Sequence, residues 1–408
     1  MSDDPLRWLF SLEVLGMKFG LENITVLLEK LGNPHQHFAS LHIAGTNGKG
    51  SVTAMAETAL RRAGYRTARY TSPHLERIEE RFVIAGADVK TADLQDVLAG
   101  VRSAVESLID QGALSGPPTF FESTTAAAFE LFRRAVVEIA VVEAGLGGRL
   151  DATNVVQPVA AAITTVDFDH QAQLGSTIEA IAFEKAGVIK PGVPIVIGCL
   201  PPAAERVVEA RAASMGAPVI RACGPSTPPL LARPRLPGAH QKENARVVTS
   251  LLRTLNGRGF TVPDEAIAQG IEHVEWPGRL ERLRCGDAEV LLDAAHNPAG
   301  ARSLGAYLHD AGWIDPTLIF AAMADKDIGG ILAPLLPRVG RIICTTAPTP
   351  RAARADELAR LVRGLAPGKD VNSIETPAAA LAHACATSSR VVAAGSMFLI
   401  GPLRGILR

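Results

Sequence analysis

The chain has 408 residues, enough for two domains with substantial cores. Its 41 basic and 42 acidic side chains leave a net charge of −1, which argues against nucleic acid or an anionic membrane as an obligate partner. No apolar run is long enough to span a bilayer, and MSDDPLRWLF lacks the basic n-region of a secretory leader.

The first strong signal in chain order is LHIAGTNGKGS. The spacing predicts a buried strand over 40–44 and a helix over 51–63, with apolar Val52, Met55, Ala56, Ala59 and Leu60 on one face and Gly64 as its stop. Thr46, Asn47, Gly48, Lys49, Gly50 and Ser51 therefore fall on a strand-to-helix turn. Free backbone N–H groups and the helix dipole there favour a polyphosphate. Lys49 adds a point charge, and Ser51 offers a hydroxyl to Mg²⁺. The loop departs from the ordinary P-loop: Gly45 lies only four residues before Lys49, and Gly50 separates Lys49 from Ser51.

Alternation continues with a strand over 66–71 ending in TSPHL, a helix over 124–134, and the apolar run VVEIAVV over 136–142, suited to a strand covered on both faces. A strand over 159–166, a helix over 177–186 closed by Gly187, and a strand over 194–198 follow. The stretch 224–238 holds Pro225, Pro228, Pro229, Pro234 and Pro237, and composition alone places a domain boundary there. Beyond it come a helix over 240–255, strands over 289–292, 318–322, 341–345 and 390–394, and helices over 300–309 and 356–365. This is the pattern of α/β domains with parallel sheets, the second small and doubly wound. It contains no GxGxxG, so dinucleotide binding is not supported.

The cysteines at 199, 223, 285, 344 and 385 are odd in number and form no CxxC pair. Neither a disulfide framework nor a zinc site is expected, and a reducing cytoplasm fits best.

Ligands in such sheets bind outside the carboxyl ends of the strands. Glu143 ends one predicted strand and leads into AGLGGRLDATN; Asp169 and His170 follow another; Asp293 ends EVLLD before AAHNP. Glu143 and His170 offer oxygen and nitrogen to a metal, although Mg²⁺ usually prefers oxygen. On spacing alone Lys185 is an exposed lysine near a helix C-terminus, favoured by the dipole.

The segments HIAGTNGKGS, YTSPHL, TFFE, VEAGLGGRLDATN, EKAGVIKPG, HQKENA, WPGRLE, DAAHNP, ADKD and GSMFLIG occur in order. Together they resemble the folylpolyglutamate synthase and bifunctional dihydrofolate synthase branch of the Mur ligase superfamily, over almost the whole chain. The resemblance implies a P-loop-type parallel-sheet ATPase domain at 1–280 and a smaller Rossmann-like α/β domain at 281–408. It implies an ATP-dependent ligase that phosphorylates a pterin-borne carboxylate and joins the acyl phosphate to L-glutamate. The first domain would bind ATP and pterin, and the second would supply the glutamate pocket. The enzyme is expected in the cytoplasm as a monomer acting on small molecules, with no nucleic acid or membrane partner.

By resemblance, Thr46, Asn47, Gly48, Lys49, Gly50 and Ser51 cradle the ATP phosphates, and Asn244, Arg279 and Asp293 contact ATP. Ser72, Glu143 and His170 hold Mg²⁺, with two ions expected. Lys185 matches the position that carries a carbamate, which turns a cation into an oxygen-rich anion. Thr119, Phe120, Phe121, Leu150, Asp151 and Ala152 match pterin contacts, and a phenylalanine can stack on a flat ring. His296 is assigned an orienting or acid–base role, and Lys49 and Lys185 join it as catalytic candidates.

The chain also departs from the pattern. VDFDHQAQLG carries Gln171 to Gln173 where relatives often have Thr and an acidic or aromatic residue, and MKFGLEN ends in Asn23 where GLER is usual. Two other readings remain at this level: a Mur ligase acting on a UDP-muramoyl peptide, and a nucleotide-binding paralogue without ligase chemistry.

Overall fold

In the computed structural model, which describes residues 4–16, 18–224, 227 and 229–408, two sheets organise the chain. The first has eight strands: β1 (Ala39–Ala44), β2 (Thr67–Tyr70), β3 (Phe82–Ile84), β4 (Ala87–Asp88), β5 (Ile139–Glu143), β6 (Ala160–Ile163), β7 (Ile195–Ile197) and β8 (Val219–Arg221). Their order is β4-β3-β2-β5-β1-β6-β7-β8. β1 is central and parallel to both β5 and β6, so the loop that follows it emerges at the carboxyl edge, between neighbours that lie far away in sequence. Only the β2–β3 and β3–β4 pairs are antiparallel. The inner strands are buried throughout, which explains their continuous Ala, Val and Ile runs.

The second sheet holds β9 (Glu281–Cys285), β10 (Ala288–Leu292), β11 (Thr317–Phe320), β12 (Arg341–Cys344), β13 (Asp370–Ser373) and β14 (Arg390–Ala394), ordered β13-β12-β11-β14-β10-β9. Five strands are parallel, and β9 closes the edge antiparallel to β10. Both sheets match the expected α/β class.

By contacts, the first unit takes the described residues up to Asp167, then Gln171–Arg235 and Lys242–Val274. The second takes Phe168–His170, Leu236–Gln241 and Glu275–Arg408. The prolines at 229, 234 and 237 therefore do not mark a single crossing, while Pro225 and Pro228 lie outside the described residues.

Several local expectations change. The helix read over 124–134 begins earlier, at Phe120, and runs to Arg134. Thr119 Oγ1 accepts from the Glu122 N–H, and the Glu122 carboxylate accepts from the Thr119 N–H at 2.7 Å, a capping box written in TFFE itself. Val136 is not in a strand: it is exposed with φ 52°, in the turn that leaves the helix, and β5 starts at Ile139. The longest helix, Thr91–Asp110, buries Leu94, Val97, Leu98, Val101, Val105 and Leu108 on one face, yet falls in a stretch the sequence reading left unassigned.

The cysteine expectation is overturned. Cys199 and Cys223 are disulfide-bonded, with Cα atoms 5.4 Å apart. β7 and β8 pair in parallel with Ile197 opposite Arg221, and each chain continues two residues to its cysteine. Strand register thus brings together thiols separated by 24 residues, which no count of local motifs detects. Among the described residues, no helix is long and apolar enough to cross a membrane.

Candidate active site

The turn after β1 is pinned from β6. The Thr46 N–H donates to the Thr165 carbonyl, and Thr46 Oγ1 exchanges hydrogen bonds with the backbone of Asp167. The Asn47 N–H donates to Thr165 Oγ1, while Thr164 Oγ1 donates to the Asn47 carbonyl at 2.6 Å. Gly45 has φ 147°, and a Cβ there would sit 1.9 Å from Thr164 Oγ1. Gly48 has φ 87° and precedes the helix Lys49–Arg62; a Cβ on it would meet Asn244 Oδ1 at 2.5 Å. Only glycine fits at either position. Asn244, from the helix Ala239–Arg253, therefore lies against the loop. Lys49 Nζ donates to the carbonyls of Gly45 and Thr46 at 3.0 and 3.3 Å, so the ammonium folds back over the loop that leads into its helix. Ser51 is buried in that first turn.

Glu143 ends β5 at the same sheet edge, buried, and its Oε2 accepts from the Ser72 N–H at 3.2 Å. Register explains the meeting: Tyr70 pairs with Val142, so the TSPHL turn leaves beside Glu143. Lys185, in the helix Ile178–Ala186, is 3% exposed, not the solvated lysine its spacing suggested. The GLGGR loop packs on that helix through the Arg149 N–H to the Glu184 carbonyl.

The expected pterin residues divide. Phe120 is core, while Phe121 is half-buried, stacked on Tyr70 at 6.0 Å and pressed against Gly145. Thr119 spends its hydroxyl on Glu122. Asp151 accepts from the N–H groups of Leu146 and Thr153 and from the Thr153 hydroxyl, so it braces the GLGG turn. Burial pushes its carboxyl above the ordinary range, against those donors. Leu150 and Ala152 flank it, half-buried and buried. Arg81, which the sequence reading passed over, lies here at 7% exposure, over the Phe120 ring at 5.1 Å. Its Nε donates to His74 Nδ1 at 2.9 Å. Burial, with Arg81 beside it, lowers His74 to about 4 and keeps that nitrogen an acceptor.

The second unit gathers its own cluster. Asp293 directly follows β10 and accepts from the Leu280 and Ala295 N–H groups. Burial pushes its carboxyl up, with Arg279 pulling the other way. Arg279 is half-buried and donates to the Gly278 carbonyl. His296 has Nδ1 at 2.9 Å from the Ala294 carbonyl, with Nε2 3.6 Å from Asp169 Oδ2. Asp169 is the hub: Lys326 Nζ donates to it at 2.5 Å and Asn297 Nδ2 at 2.9 Å. Burial would raise its carboxyl, yet His296, His170 and Lys326 hold it below the usual range. His170 sits at φ 49° with Nε2 3.4 Å from Lys326 Nζ. Asp169 was already marked beside His170 at a strand end, whereas Lys326, within ADKD, was passed over, and nothing local ties one to the other.

The first unit thus joins the loop to Asn244 and joins Ser72 to Glu143; in the second, Arg279 and His296 act on Asp293, and His296 and His170 face Asp169. Among the described residues no three His, Cys, Asp or Glu side chains converge as a metal cage. One carboxylate and one hydroxyl from the chain still suit Mg²⁺, which commonly takes its remaining ligands from substrate phosphates and water.

Comparison with known proteins gives one family match, two relatives and one solved structure. Residues 278–399 match the Mur ligase, glutamate ligase domain family. The chain is 33% identical over 378 residues to the dihydrofolate synthase/folylpolyglutamate synthase of Bacillus subtilis, covering 87% of each. It is 33% identical to a probable bifunctional folylpolyglutamate synthase/dihydropteroate synthase of Haloferax volcanii, covering 98% of this chain but 50% of that one, so it spans half that relative's length. The crystal structure of the Yersinia pestis bifunctional folylpolyglutamate synthase/dihydrofolate synthase, complexed with AMPPNP and Mn ion, is similar with TM-score 0.86 at 30% identity, over 100% of this chain and 98% of that one.

Proposed function

Since the chain belongs to the folylpolyglutamate synthase/dihydrofolate synthase family of Mur-type ligases, we propose that it joins L-glutamate to dihydropteroate, to the γ-carboxylate of reduced folates, or to both, using ATP. One observation carries this reading: the loop of Gly45–Ser51 opens at the same sheet edge as Glu143, braced by Thr164, Thr165 and Asn244. A free carboxylate is a poor electrophile. Transfer of the γ-phosphoryl group gives it a leaving group, and the glutamate amine then displaces phosphate through a tetrahedral intermediate.

Such transfer needs positioning and charge neutralisation more than covalent help. The N–H groups at the start of the helix Lys49–Arg62 and the Lys49 ammonium hold the phosphates. Ser72 and Glu143 are the hard donors for Mg²⁺, which when bound neutralises phosphate charge. We assign Asn244, Arg279 and Asp293 to ATP, and His296 to orientation, since its Nδ1 is held at the Ala294 carbonyl and its Nε2 faces Asp169. Lys185 is proposed to carry a carbamate, consistent with a buried lysine on a helix packed against the GLGGR loop. A ¹³C carbamate resonance after labelling with bicarbonate, lost in Lys185→Arg, is the expected result; its absence in the active enzyme removes that assignment.

The test of function measures phosphate release with ATP, Mg²⁺ and glutamate, offering dihydropteroate in one reaction and tetrahydrofolate in another. Turnover with at least one of them is expected, and Lys49→Ala or Glu143→Ala should lower it by at least about 10²-fold. Pterin-dependent ADP formation that runs equally well without glutamate would overturn the reading.

A further inference from the structure

Arg81 has chemistry that the proposed reaction has not used. It is 7% exposed, yet among the described residues no carboxylate lies within ion-pair distance of it. Burying a guanidinium without a paired anion is costly, and such a cation ordinarily has a partner. Its Nε is spent on His74, which leaves four N–H donors; the Tyr70 hydroxyl, bonded to Thr124 and Thr125, lies beside it, and the Glu13 and Glu143 carboxylates act on it only from beyond ion-pair distance.

Its position points to the partner's shape. Arg81 immediately precedes β3, which runs antiparallel to β2 with Phe82 opposite Tyr70. That puts it at the carboxyl end of β2, the edge that also carries Glu143 and the phosphate loop. The guanidinium carbon lies 5.1 Å from the Phe120 ring centre, Phe10 packs on Phe120 at 5.9 Å while 40% exposed, and Phe121 stacks on Tyr70. An aromatic wall with a flat cation at its rim suits a planar ring with acceptors along one edge. A pterin has such an edge: O4 and N5 are disposed like O6 and N7 of guanine, the pair an arginine fork reads. In a 7,8-dihydropterin N5 is an imine acceptor; in a tetrahydropterin it carries hydrogen or a substituent and the pair is broken.

We propose that Arg81 is a specificity residue that contacts the O4/N5 edge of the pterin and favours 7,8-dihydro over tetrahydro substrates. This rests on the functional reading above and names which substrate form the site prefers.

The test compares KM values of the wild type for dihydropteroate, its 5-deaza analogue and tetrahydrofolate, and repeats them in Arg81→Met and Arg81→Lys with thermal melts. In the wild type the 5-deaza analogue should have a KM about 10-fold or more above its parent, with the KM for ATP unchanged. Arg81→Met should raise the dihydropteroate KM about 10- to 100-fold, the tetrahydrofolate KM less than about threefold, and erase the 5-deaza penalty. If Arg81→Met does not fold, Arg81→Lys, which keeps the charge but not the fork, should show the same order. Equal KM values for parent and 5-deaza analogue in the wild type overturn the proposal, as does a rise shared equally by both pterins in the variants. Wild type that turns over no pterin overturns the functional reading and this one with it.

Discussion

Lys326 Nζ lies 2.5 Å from Asp169 Oδ1, across 157 residues of sequence, with both side chains nearly buried. Asp169 also receives Asn297 and faces His296, so one carboxylate orders side chains from two other segments of the second unit. Asp169→Ala should destabilise the protein by about 3–5 kcal/mol, because it strands the Lys326 ammonium. The Asp169→Ala/Lys326→Met double variant should recover at least about 1 kcal/mol of that loss. Urea unfolding of the two single variants and the double measures the coupling; strictly additive losses would mean the pair contributes nothing as a pair.

Gly45→Ala is expected to damage nucleotide binding more than folding. The added methyl would meet Thr164 Oγ1 at 1.9 Å, and φ 147° disfavours any side chain. The conformational strain is about 1–3 kcal/mol, and relief requires the loop to leave Thr164 and Thr165. Calorimetric titration with an ATP analogue should give a dissociation constant raised about 10-fold or more. Unchanged affinity would mean that the loop does not hold the phosphates.

The cysteines give a direct count. Denatured without reductant, the protein should expose three titratable thiols, Cys285, Cys344 and Cys385, and five after reduction. Cys199→Ser should cost about 3 kcal/mol, the entropic value for closing a loop of this length. Five thiols before reduction would mean that the pair is open in solution.

His42 ties stability to pH. It is fully buried, its Nε2 is 2.8 Å from Thr153 Oγ1, and burial with nearby Lys190 lowers it to about 3. The unfolded chain protonates it near 6.5, the folded chain only near 3. Its contribution is therefore whole above about pH 6.5 and lost progressively as pH falls toward 3. In His42→Gln the slope of stability against pH between 6 and 4 should be smaller by close to one proton, about 1.4 kcal/mol per pH unit. Urea unfolding at several pH values checks it; identical slopes would mean that His42 titrates normally.

Much of the fold was legible because its signals are local. Alternating apolar runs and helical spacings located most inner strands, and TFFE even spelled its own capping box, although the helix start was read four residues late. The helix Thr91–Asp110 was equally legible in its spacing and went unread for want of a motif. Lys185 shows the limit: position near a helix end says exposed, yet in the folded chain, where GLGGR packs on its helix, it is buried.

By itself, then, the order of residues determined the α/β alternation, the glycine turn with Lys49, and the polar strand ends Glu143 and Asp293, since strand and helix periodicities and turn chemistry act over a few residues. Tertiary structure alone decided that Cys199 meets Cys223, that Asp169 gathers Lys326 and Asn297, and that Arg81 is buried over Phe120. Those relations depend on strand register and on which distant segments pack together, and a side chain's charge, exposure and partners are set there rather than by its neighbours in the chain.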